Sequence, residues 1–268
     1  MNIRKNRRPP VCLTIAGVDP SGGAGIIADI KTFCAFGCYA TAAIASITYQ
    51  NTMGVFGAEH QSARSVRNQI QPILDDYDIA SLKTGMLPTG EIISEVAQII
   101  GEHGLKNFVV DPVVRSTSGF DLIDDEALRL LTEKLFPLSD LITPNIPEAE
   151  RISRIEIRSI DDVRKAAKIM QSMGAKNVLI KGGHLSAAGG EDMSTDHLFL
   201  GQEMIPFEAE RIDTTATHGT GCTLAAAITA NLALGHGLER SVGIAKDFVT
   251  EAIRTAPGLG KGHSPINI

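Results

Sequence analysis

The stretch VCLTIAGVDPSGGAGIIADIKTFCAFG, residues 11–37, contains the unit from which the fold can be predicted. Its first part, VCLTIAGV (11–18), is a short apolar run rich in β-branched residues, which is typical of a buried strand. DPSGG interrupts the run, and AGIIADIKTFCAFG (24–37) then repeats apolar residues at helical spacing until Gly37. The stretch therefore predicts a strand, a glycine-rich loop and a helix in succession.

The same alternation of apolar runs and amphipathic segments continues to the end of the chain. Further strands are predicted at 40–47, 79–86, 106–114, 140–145 and 177–184, with a more polar surface hairpin at 196–200 and 204–212. Further helices are predicted at 63–76, 89–104, 124–136, 161–174, 220–234 and 241–256. Repeated strand–helix units with apolar strands indicate an α/β fold in which helices cover both faces of a mainly parallel sheet.

The chain is predicted to form one domain behind a short tail. Residues 1–10, MNIRKNRRPP, are expected to be a flexible basic tail rather than a nucleic-acid arm. No Pro/Gly/Ser linker or break in composition divides residues 11–268, so we expect a single domain there. This domain should have three layers, α/β/α, with a small antiparallel hairpin.

Composition and charge exclude several classes of protein. The 25 Lys and Arg residues against 31 Asp and Glu residues give a net charge of −6, which argues against nucleic acid or an anionic membrane as a partner. The sequence contains neither a secretory signal nor the roughly 18 consecutive apolar residues of a membrane helix. The four cysteines, Cys12, Cys34, Cys38 and Cys222, lack CxxC or zinc spacing. We therefore expect a soluble cytoplasmic protein.

A second stretch, THGTGCTLAAAI (217–228), places a cysteine behind a glycine-rich turn at the start of an alanine-rich helix. Glycines let the backbone approach a ligand closely, and the first amides of a helix have no partner inside it. Together with the helix dipole, these amides can bind an anion. A tight turn with a buried cysteine explains the same residues equally well.

Cys222 has two chemical interpretations at this position. A helix N-terminus lowers the pKa of a thiol, so we predict a lowered pKa for Cys222. A lowered pKa suits a nucleophile and a general base equally. The sequence contains no GxSxG hydrolase motif, and a turn separates His218 from Cys222, so no Cys/His dyad is inferred.

Three charged residues near strand ends are candidates for binding Mg²⁺ or a phosphate group. Asp111 and Glu148 could be turn or cap residues, or could share a hydrated Mg²⁺, which needs only one or two carboxylates plus phosphate. Lys181 could reach solvent or a nucleotide phosphate. The loop AGVDPSGGAG (16–25) fits neither the P-loop nor the GxGxxG spacing, and could be a phosphate or substrate loop or a simple turn. Taken together, these residues favour phosphoryl transfer.

Seven segments between residues 14 and 228 together resemble the hydroxymethylpyrimidine/phosphomethylpyrimidine kinases of thiamin biosynthesis, within the ribokinase-like superfamily. They are TIAGVDPSGGAGIIADIKTF, QNT, KTGML, VVDPVVRSTSG, ITPNIPEAE, VLIKGGH and THGTGCTLAAAI, in that order. GKGHSP at 260–265 resembles the closing glycine-rich loop of the family. The resemblance implies a ribokinase-like fold for the whole domain.

The resemblance also implies an activity. Such a kinase uses ATP and Mg²⁺ to phosphorylate 4-amino-5-hydroxymethyl-2-methylpyrimidine, and then its monophosphate, and it forms homodimers. Pyridoxine/pyridoxal kinases are near relatives and supply the first alternative. A cysteine hydrolase with Cys222 as nucleophile and a non-catalytic ligand-binding regulator are the other two.

Site residues follow from the resemblance position by position. The catalytic group consists of a proton acceptor, Cys222, and a backbone cradle for the phosphoryl group, Gly219, Thr220, Gly221 and Cys222. The substrate would meet Gln50 at the pyrimidine edge, Ala24, Thr48, Met86 and Val113 around the ring, and Asp29 and Gly17 near the substrate loop. The nucleotide would meet Asn145, Lys181 and Lys261, and Mg²⁺ would meet Asp111 and Glu148. Tyr49 stands where the family has a small residue such as alanine, which predicts a reshaped pocket.

Overall fold

A nine-stranded sheet runs through the computed structural model, which describes residues 8–114, 122–182 and 193–268. Most of the predicted basic tail, residues 1–7, lies outside the described residues. The same holds for the part of the predicted strand 177–184 that follows Gly182. The sheet and its helices are therefore described from residue 8 onward.

The strands follow the predicted alternation, with one addition. They are β1 (Val11–Val18), β2 (Tyr39–Asn51), β3 (Gly54–His60), β4 (Ile79–Thr84), β5 (Phe108–Val110), β6 (Leu141–Ile142), β7 (Asn177–Ile180), β8 (Met193–Leu200) and β9 (Glu203–Glu210). Their order across the sheet is β3-β2-β1-β4-β5-β6-β7-β8-β9. The strands from β2 to β7 in this order are parallel, whereas β3, β8 and β9 are antiparallel to their neighbours. The predicted parallel sheet with an antiparallel hairpin is confirmed, and β3 adds a second antiparallel edge.

Helices cover both faces of the sheet, as predicted. They are α1 (Gly25–Ala35), α2 (Ala63–Asp76), α3 (Gly90–His103), α4 (Asp125–Leu130), α5 (Ile146–Ser153), α6 (Ile160–Ser172), α7 (Thr220–Ala233) and α8 (Leu238–Arg254). The predicted helix 124–136 is α only as far as Leu130, and continues as a π turn (Leu131–Leu135) and a 3₁₀ turn (Phe136–Leu138). Helix α5 was not predicted from the sequence.

Local sequence accounts for the ends of these helices. The Thr89 side chain accepts a hydrogen bond from the amide of Ile92 at the start of α3, and Gly104 ends that helix with a φ of 57°. Ser62 and Ser159 cap α2 and α6 in the same way, through hydroxyl groups that accept an amide hydrogen bond. Each such cap contributes about 1 kcal/mol to helix stability.

The core has two sides because successive strand residues point to opposite faces of the sheet. On β5, Phe108 and Val110 pack into the cluster that contains α2 to α6, whereas Val109 packs against α7 and α8. On β1, Cys12 packs with Phe33 of α1 and with α7. Each large apolar side chain buried in this way contributes about 1.5–3 kcal/mol. Within the described ranges, no helix combines the length and hydropathy that a membrane span requires.

Candidate active site

A cavity of about 960 Å³ opens at the edge of the sheet where the parallel strands end. Ligands bind at this edge in open α/β sheets, because the loops that follow the strands converge there. Most of the residues predicted from the sequence lie around this one cavity: Gly17, Ala24, Thr48, Gln50, Met86, Asp111, Val113, Asn145, Glu148, Lys181, Gly219, Thr220, Gly221 and Cys222. The fold therefore brings together segments that are far apart in the sequence.

Three predicted residues do not line the cavity. Asp29 is fully buried in α1, so a direct contact with substrate is not possible in this structure. Lys261 is exposed, and its backbone amide donates to the Thr52 hydroxyl at 3.2 Å. Tyr49 is 51% exposed and does not line the cavity that its neighbour Gln50 lines, so any effect of Tyr49 on the pocket is not a direct contact in this structure and stays a prediction.

Asp29 instead forms a buried ion pair at the base of the cavity. Its Oδ1 accepts a hydrogen bond from Lys83 Nζ at 2.9 Å, and its Oδ2 accepts one from Thr14 Oγ1 at 2.6 Å. Burial alone would lower the pKa of Lys83, but Asp29, Cys222 and Asp111 raise it above its ordinary value. Lys83 lines the cavity and was missed from the sequence, although its position at the end of an apolar strand, before Thr-Gly, was a usable signal.

Asp19 organises the loop between β1 and α1. Its Oδ1 accepts hydrogen bonds from the amide and hydroxyl of Ser21, at 2.9 and 2.7 Å, and its Oδ2 accepts the amides of Gly23 and Ala24. The same Oδ2 lies 2.7 Å from His218 Nε2. Burial would raise the pKa of Asp19, but these hydrogen bonds hold it below its ordinary value. His218 is therefore a partner of Asp19.

The glycine-rich loops before α1 and α7 are in direct contact. Gly219 has a φ of 85°, and a Cβ at this position would lie 1.8 Å from the carbonyl oxygen of Gly23. A Cβ at Gly23 would in turn lie 2.4 Å from His218 Cδ2. Only residues without a side chain fit at this contact, which explains why both loops are rich in glycine.

Cys222 lies in the first turn of α7, and the amide of Gly25 donates a hydrogen bond to its sulfur. Burial raises the pKa of the thiol to about 11. Lys83 and the Gly25 amide act in the opposite direction, while the carboxylates of Asp111 and Asp29 add to the increase. The prediction of a lowered pKa is therefore wrong, because desolvation of this half-buried thiol outweighs the groups that favour the thiolate.

A lysine and two carboxylates lie together in the lining of the cavity. Lys181 Nζ lies 3.1 Å from Asp111 Oδ1 and 4.0 Å from Glu148 Oε2. Burial raises the pKa of Glu148 to about 7, and Asp111 adds to this effect while Lys181 reduces it. Burial would also raise the pKa of Asp111, but Lys181 and Lys83 hold it below its ordinary value. A Cβ on Gly221 would lie 3.2 Å from Lys181 Nζ, so the ammonium group lies beside the start of α7.

Asn145 and Glu148 also have a local structural role. The Asn145 side chain accepts the amide of Glu148 at 2.9 Å, and Glu148 Oε2 accepts the amide of Asn145 at 2.8 Å. This reciprocal pair is a capping box, and it starts α5. The Asn145 side-chain oxygen predicted for the nucleotide is thus engaged in this cap.

The donor set at Asp111 and Glu148 fits Mg²⁺. No cluster of three His, Cys, Asp or Glu side chains that could hold a metal occurs among the described residues. Two buried carboxylates are nevertheless enough for Mg²⁺ when substrate phosphates supply further oxygens. Asp111 and Glu148 are 2% and 5% exposed, and both line the cavity.

Lys246 and Asp196 form a further ion pair in the lining of the cavity. Lys246 Nζ lies 2.9 Å from Asp196 Oδ2, and the amide of Gly182 donates to Asp196 Oδ1 at 3.0 Å. Sequence analysis missed this pair, because Asp196 lies in a hairpin and Lys246 in the middle of α8, where neither has a local motif. Its contacts join the end of β7, strand β8 and the last helix.

A doubly covered parallel sheet, a glycine-rich helix start and a neighbouring lysine–carboxylate wall are together typical of ribokinase-like kinases. The model of the family described as phosphomethylpyrimidine kinase matches residues 19–267. A hydroxymethylpyrimidine/phosphomethylpyrimidine kinase of Bacillus subtilis (strain 168) is 44% identical over 255 residues, which cover 95% of this chain and 93% of that protein. The chain therefore belongs to the phosphomethylpyrimidine kinase family.

Solved structures show the same fold and one relevant difference in substrate. The crystal structure of phosphomethylpyrimidine kinase from Clostridium difficile 630 has a TM-score of 0.80 and 40% identity, over 91% of this chain and 99% of that chain. The pyridoxal kinase of Staphylococcus aureus in complex with AMP-PCP and pyridoxal has a TM-score of 0.87 and 32% identity, over 97% and 93% of the two chains. The fold is thus shared by kinases of two different vitamin-related substrates.

Proposed function

We propose that this chain, acting as a single domain over residues 11–268, phosphorylates 4-amino-5-hydroxymethyl-2-methylpyrimidine and then its monophosphate, in thiamin diphosphate biosynthesis. Membership of the family supports the reaction. The observation that carries the proposal is a single cavity lined both by Gln50 and Met86, matched to the pyrimidine, and by the start of α7, matched to the phosphoryl group. A substrate hydroxyl held between them would lie beside Cys222.

Two sets of groups on the protein would assist the transfer. The amides from Gly219 to Cys222 lie at the start of α7 and would hold the equatorial oxygens of the phosphoryl group as charge shifts, for which the Thr220 amide must give up its 3.4 Å hydrogen bond to the Thr217 carbonyl oxygen. Lys181, beside Gly221, would add a positive charge to this cradle. These groups stabilise charge without moving, which is how preorganised donors lower a barrier.

Cys222 is the proposed proton acceptor. With a pKa of about 11 the thiol is protonated at neutral pH in the free protein, so it must lose its proton before it can act as a base. Lys83 and the Gly25 amide are the groups that favour the thiolate. The hydrolase alternative is weakened, because a Cys222 thiol with this raised pKa is a poor nucleophile at neutral pH.

ATP and Mg²⁺ are the proposed cofactors. The solved relative with bound AMP-PCP supports a nucleotide, and Lys181 and Lys261 are its proposed contacts in this chain, with Asn145 nearby. Asp111 and Glu148 would hold Mg²⁺, which when bound supplies positive charge to the phosphates. A cytoplasmic location would supply ATP and keep the neighbouring buried thiols of Cys12 and Cys38 reduced.

A homodimer is also proposed. The edge formed by β2 and β3 exposes Tyr49, Met53 and Phe56, of which Phe56 is 70% exposed. Large apolar side chains grouped at an edge strand are typical of a surface that another chain covers. A second copy of this chain would remove both the exposed apolar area and the unpaired edge.

A competition assay tests the activity. The protein is given ATP, Mg²⁺ and equal concentrations of the hydroxymethylpyrimidine and pyridoxal, and phosphorylated products are separated by mass. We expect the pyrimidine monophosphate first and the diphosphate later. Pyridoxal kinase activity is the second candidate, favoured by the structural match to the pyridoxal complex, and predominant pyridoxal phosphate would identify it. Failure to phosphorylate either compound would refute both.

A further inference from the structure

The segment Leu259–Pro265, which we call the C-terminal strap, is bound at one end to the turn between β2 and β3. The amides of Lys261 and Gly262 donate to Thr52 Oγ1 at 3.2 and 3.3 Å. The amide of His263 donates to the carbonyl oxygen of Thr52 at 2.7 Å. One threonine thus accepts three hydrogen bonds from consecutive residues of the strap.

The strap has glycines where it passes closest to Thr52. A Cβ at Gly260 would lie 2.3 Å from Thr52 Oγ1, and a Cβ at Gly262 would lie 2.1 Å from the Thr52 carbonyl oxygen. Gly260 also has a φ of 82°, which side chains rarely tolerate. The two glycines of GKGHSP therefore allow the backbone of the strap to pack closely against Thr52.

The other end of the strap is bound to the start of α7. His263 Nδ1 lies 3.1 Å from Thr217 Oγ1, and the amide of His218 donates to the Ser264 carbonyl oxygen at 3.3 Å. Ser264 is 5% exposed, and its hydroxyl accepts the amide of Leu259, which closes the strap into a compact loop. The strap thus connects two walls of the cavity that do not follow one another in the sequence.

From these contacts we infer that Thr52 is a positioning residue for phosphoryl transfer. Thr52 does not line the cavity. Gln50 and Val55, on either side of its turn, do line it and form what we call the substrate wall, and Thr217 to Cys222, at the other end of the strap, line it at the phosphoryl cradle. Through the strap, Thr52 holds the substrate wall at a fixed distance from the phosphoryl cradle. This inference rests on the proposed function, because it assigns the two walls to the two reactants.

The first test compares Thr52→Val with Thr52→Ser. Valine has nearly the shape of threonine but cannot accept the two amides, whereas serine can. We expect Thr52→Val to lower kcat/KM for the pyrimidine by about tenfold or more, since small errors in position are costly in transfer reactions. Thr52→Ser should keep kcat/KM near the wild-type value, because its hydroxyl can still accept both amides. Wild-type kinetics in Thr52→Val would overturn the inference.

A second variant addresses the strap from the other side. Gly262→Ala should reproduce the kinetic loss of Thr52→Val, and the double variant should be no worse than either single one, because both break the same connection. Losses that multiply in the double variant would show that the two sites act independently and would contradict a common connection. Thermal melts of each variant check that it is folded.

Amide hydrogen exchange separates this inference from the proposed function. We expect Thr52→Val to speed exchange at residues 261–263 and also at 217–219, and Thr52→Ser to leave both slow. Faster exchange confined to 261–263 would mean that the strap does not reach the cradle, which would refute positioning. If the wild type phosphorylates neither the pyrimidine nor pyridoxal, the proposed function fails, and the exchange pattern still decides whether Thr52 couples the two walls.

Discussion

Cys222 is the proposed acceptor of the substrate proton, but its surroundings favour the neutral thiol. If Cys222 is the base, Cys222→Ala should lower kcat by about 10²–10⁴-fold with KM nearly unchanged. Cys222→Asp should retain more activity at low pH, since a carboxylate ordinarily ionises at far lower pH than a thiol. The rate of the wild type should rise with pH from 6 to 9, and the rise should be weaker in Cys222→Asp. Steady-state kinetics across this range measure both effects, and near-normal turnover of Cys222→Ala would exclude the base role.

Glu148 should make stability depend on pH in the metal-free protein. Its pKa in the folded state is raised from 4.5 to about 7, so the folded state binds this proton more tightly than the unfolded state. This contribution is complete below about pH 4.5 and is lost as pH rises through 7. Urea unfolding at several pH values should therefore show that Glu148→Gln removes part of the decline in stability between pH 5 and 8. An identical pH dependence in both proteins would contradict the raised pKa.

Most of the cavity residues could be predicted from the sequence, but the contacts between them could not. Asp111 and Cys222 could be predicted as site residues because each lies in a motif that is a short, continuous stretch of sequence. The pairing of Asp19 with His218 joins residues 199 positions apart, and no local pattern encodes it. The predicted direction of the Cys222 pKa shift was wrong for a similar reason, because segments distant in the sequence bury the thiol and so determine its pKa.

Helix and loop boundaries give a prediction at the element scale. Gly219→Ala and Gly104→Ala both place a side chain at positive φ, but only position 219 has a neighbour in the way, the Gly23 carbonyl oxygen. Gly104→Ala should cost about 1 kcal/mol and leave turnover intact. Gly219→Ala should lower the free energy of unfolding by clearly more than Gly104→Ala and should also reduce kcat, because the loops before α1 and α7 must separate to make room for the new Cβ. Denaturant unfolding and kinetics of the two variants test this prediction. Equal losses in the free energy of unfolding would show that the two loops can separate at little cost.

Elements with strong periodicity were predicted well, and short ones were not. Helix α2 has the predicted bounds, Ala63–Asp76, because its apolar stripe and Ser62 cap agree. Strand β3 (Gly54–His60) was missed, since GVFGAEH contains two glycines and is held by pairing with β2. Helix α5 was missed because it has only eight residues and depends on its capping box. In both cases contacts outside the segment, or a single cap, decide the structure.

The whole molecule should be a dimer through the β2–β3 edge. Light scattering of the wild type should give twice the chain mass of 28.5 kDa. Phe56→Asp should give the monomer mass, because a charge cannot be buried there without a partner. Leu234→Asp is the matched control, since Leu234 is also an exposed apolar residue, 42% accessible, but lies at the end of α7. A wild-type monomer, or a dimer that survives Phe56→Asp, would reject this interface.

The late position of α7 and α8 in the chain has a consequence for protein synthesis. These helices cover the face of the sheet that carries Val109, Leu141 and Leu179. They leave the ribosome last, so a nascent chain that has already built the rest of the sheet still exposes this apolar face, which favours aggregation or chaperone binding. Helix α7, which begins at the proposed phosphoryl cradle, also helps to end this exposure. We therefore expect a chain released before α7 to lack the proposed cradle and to keep this apolar face uncovered.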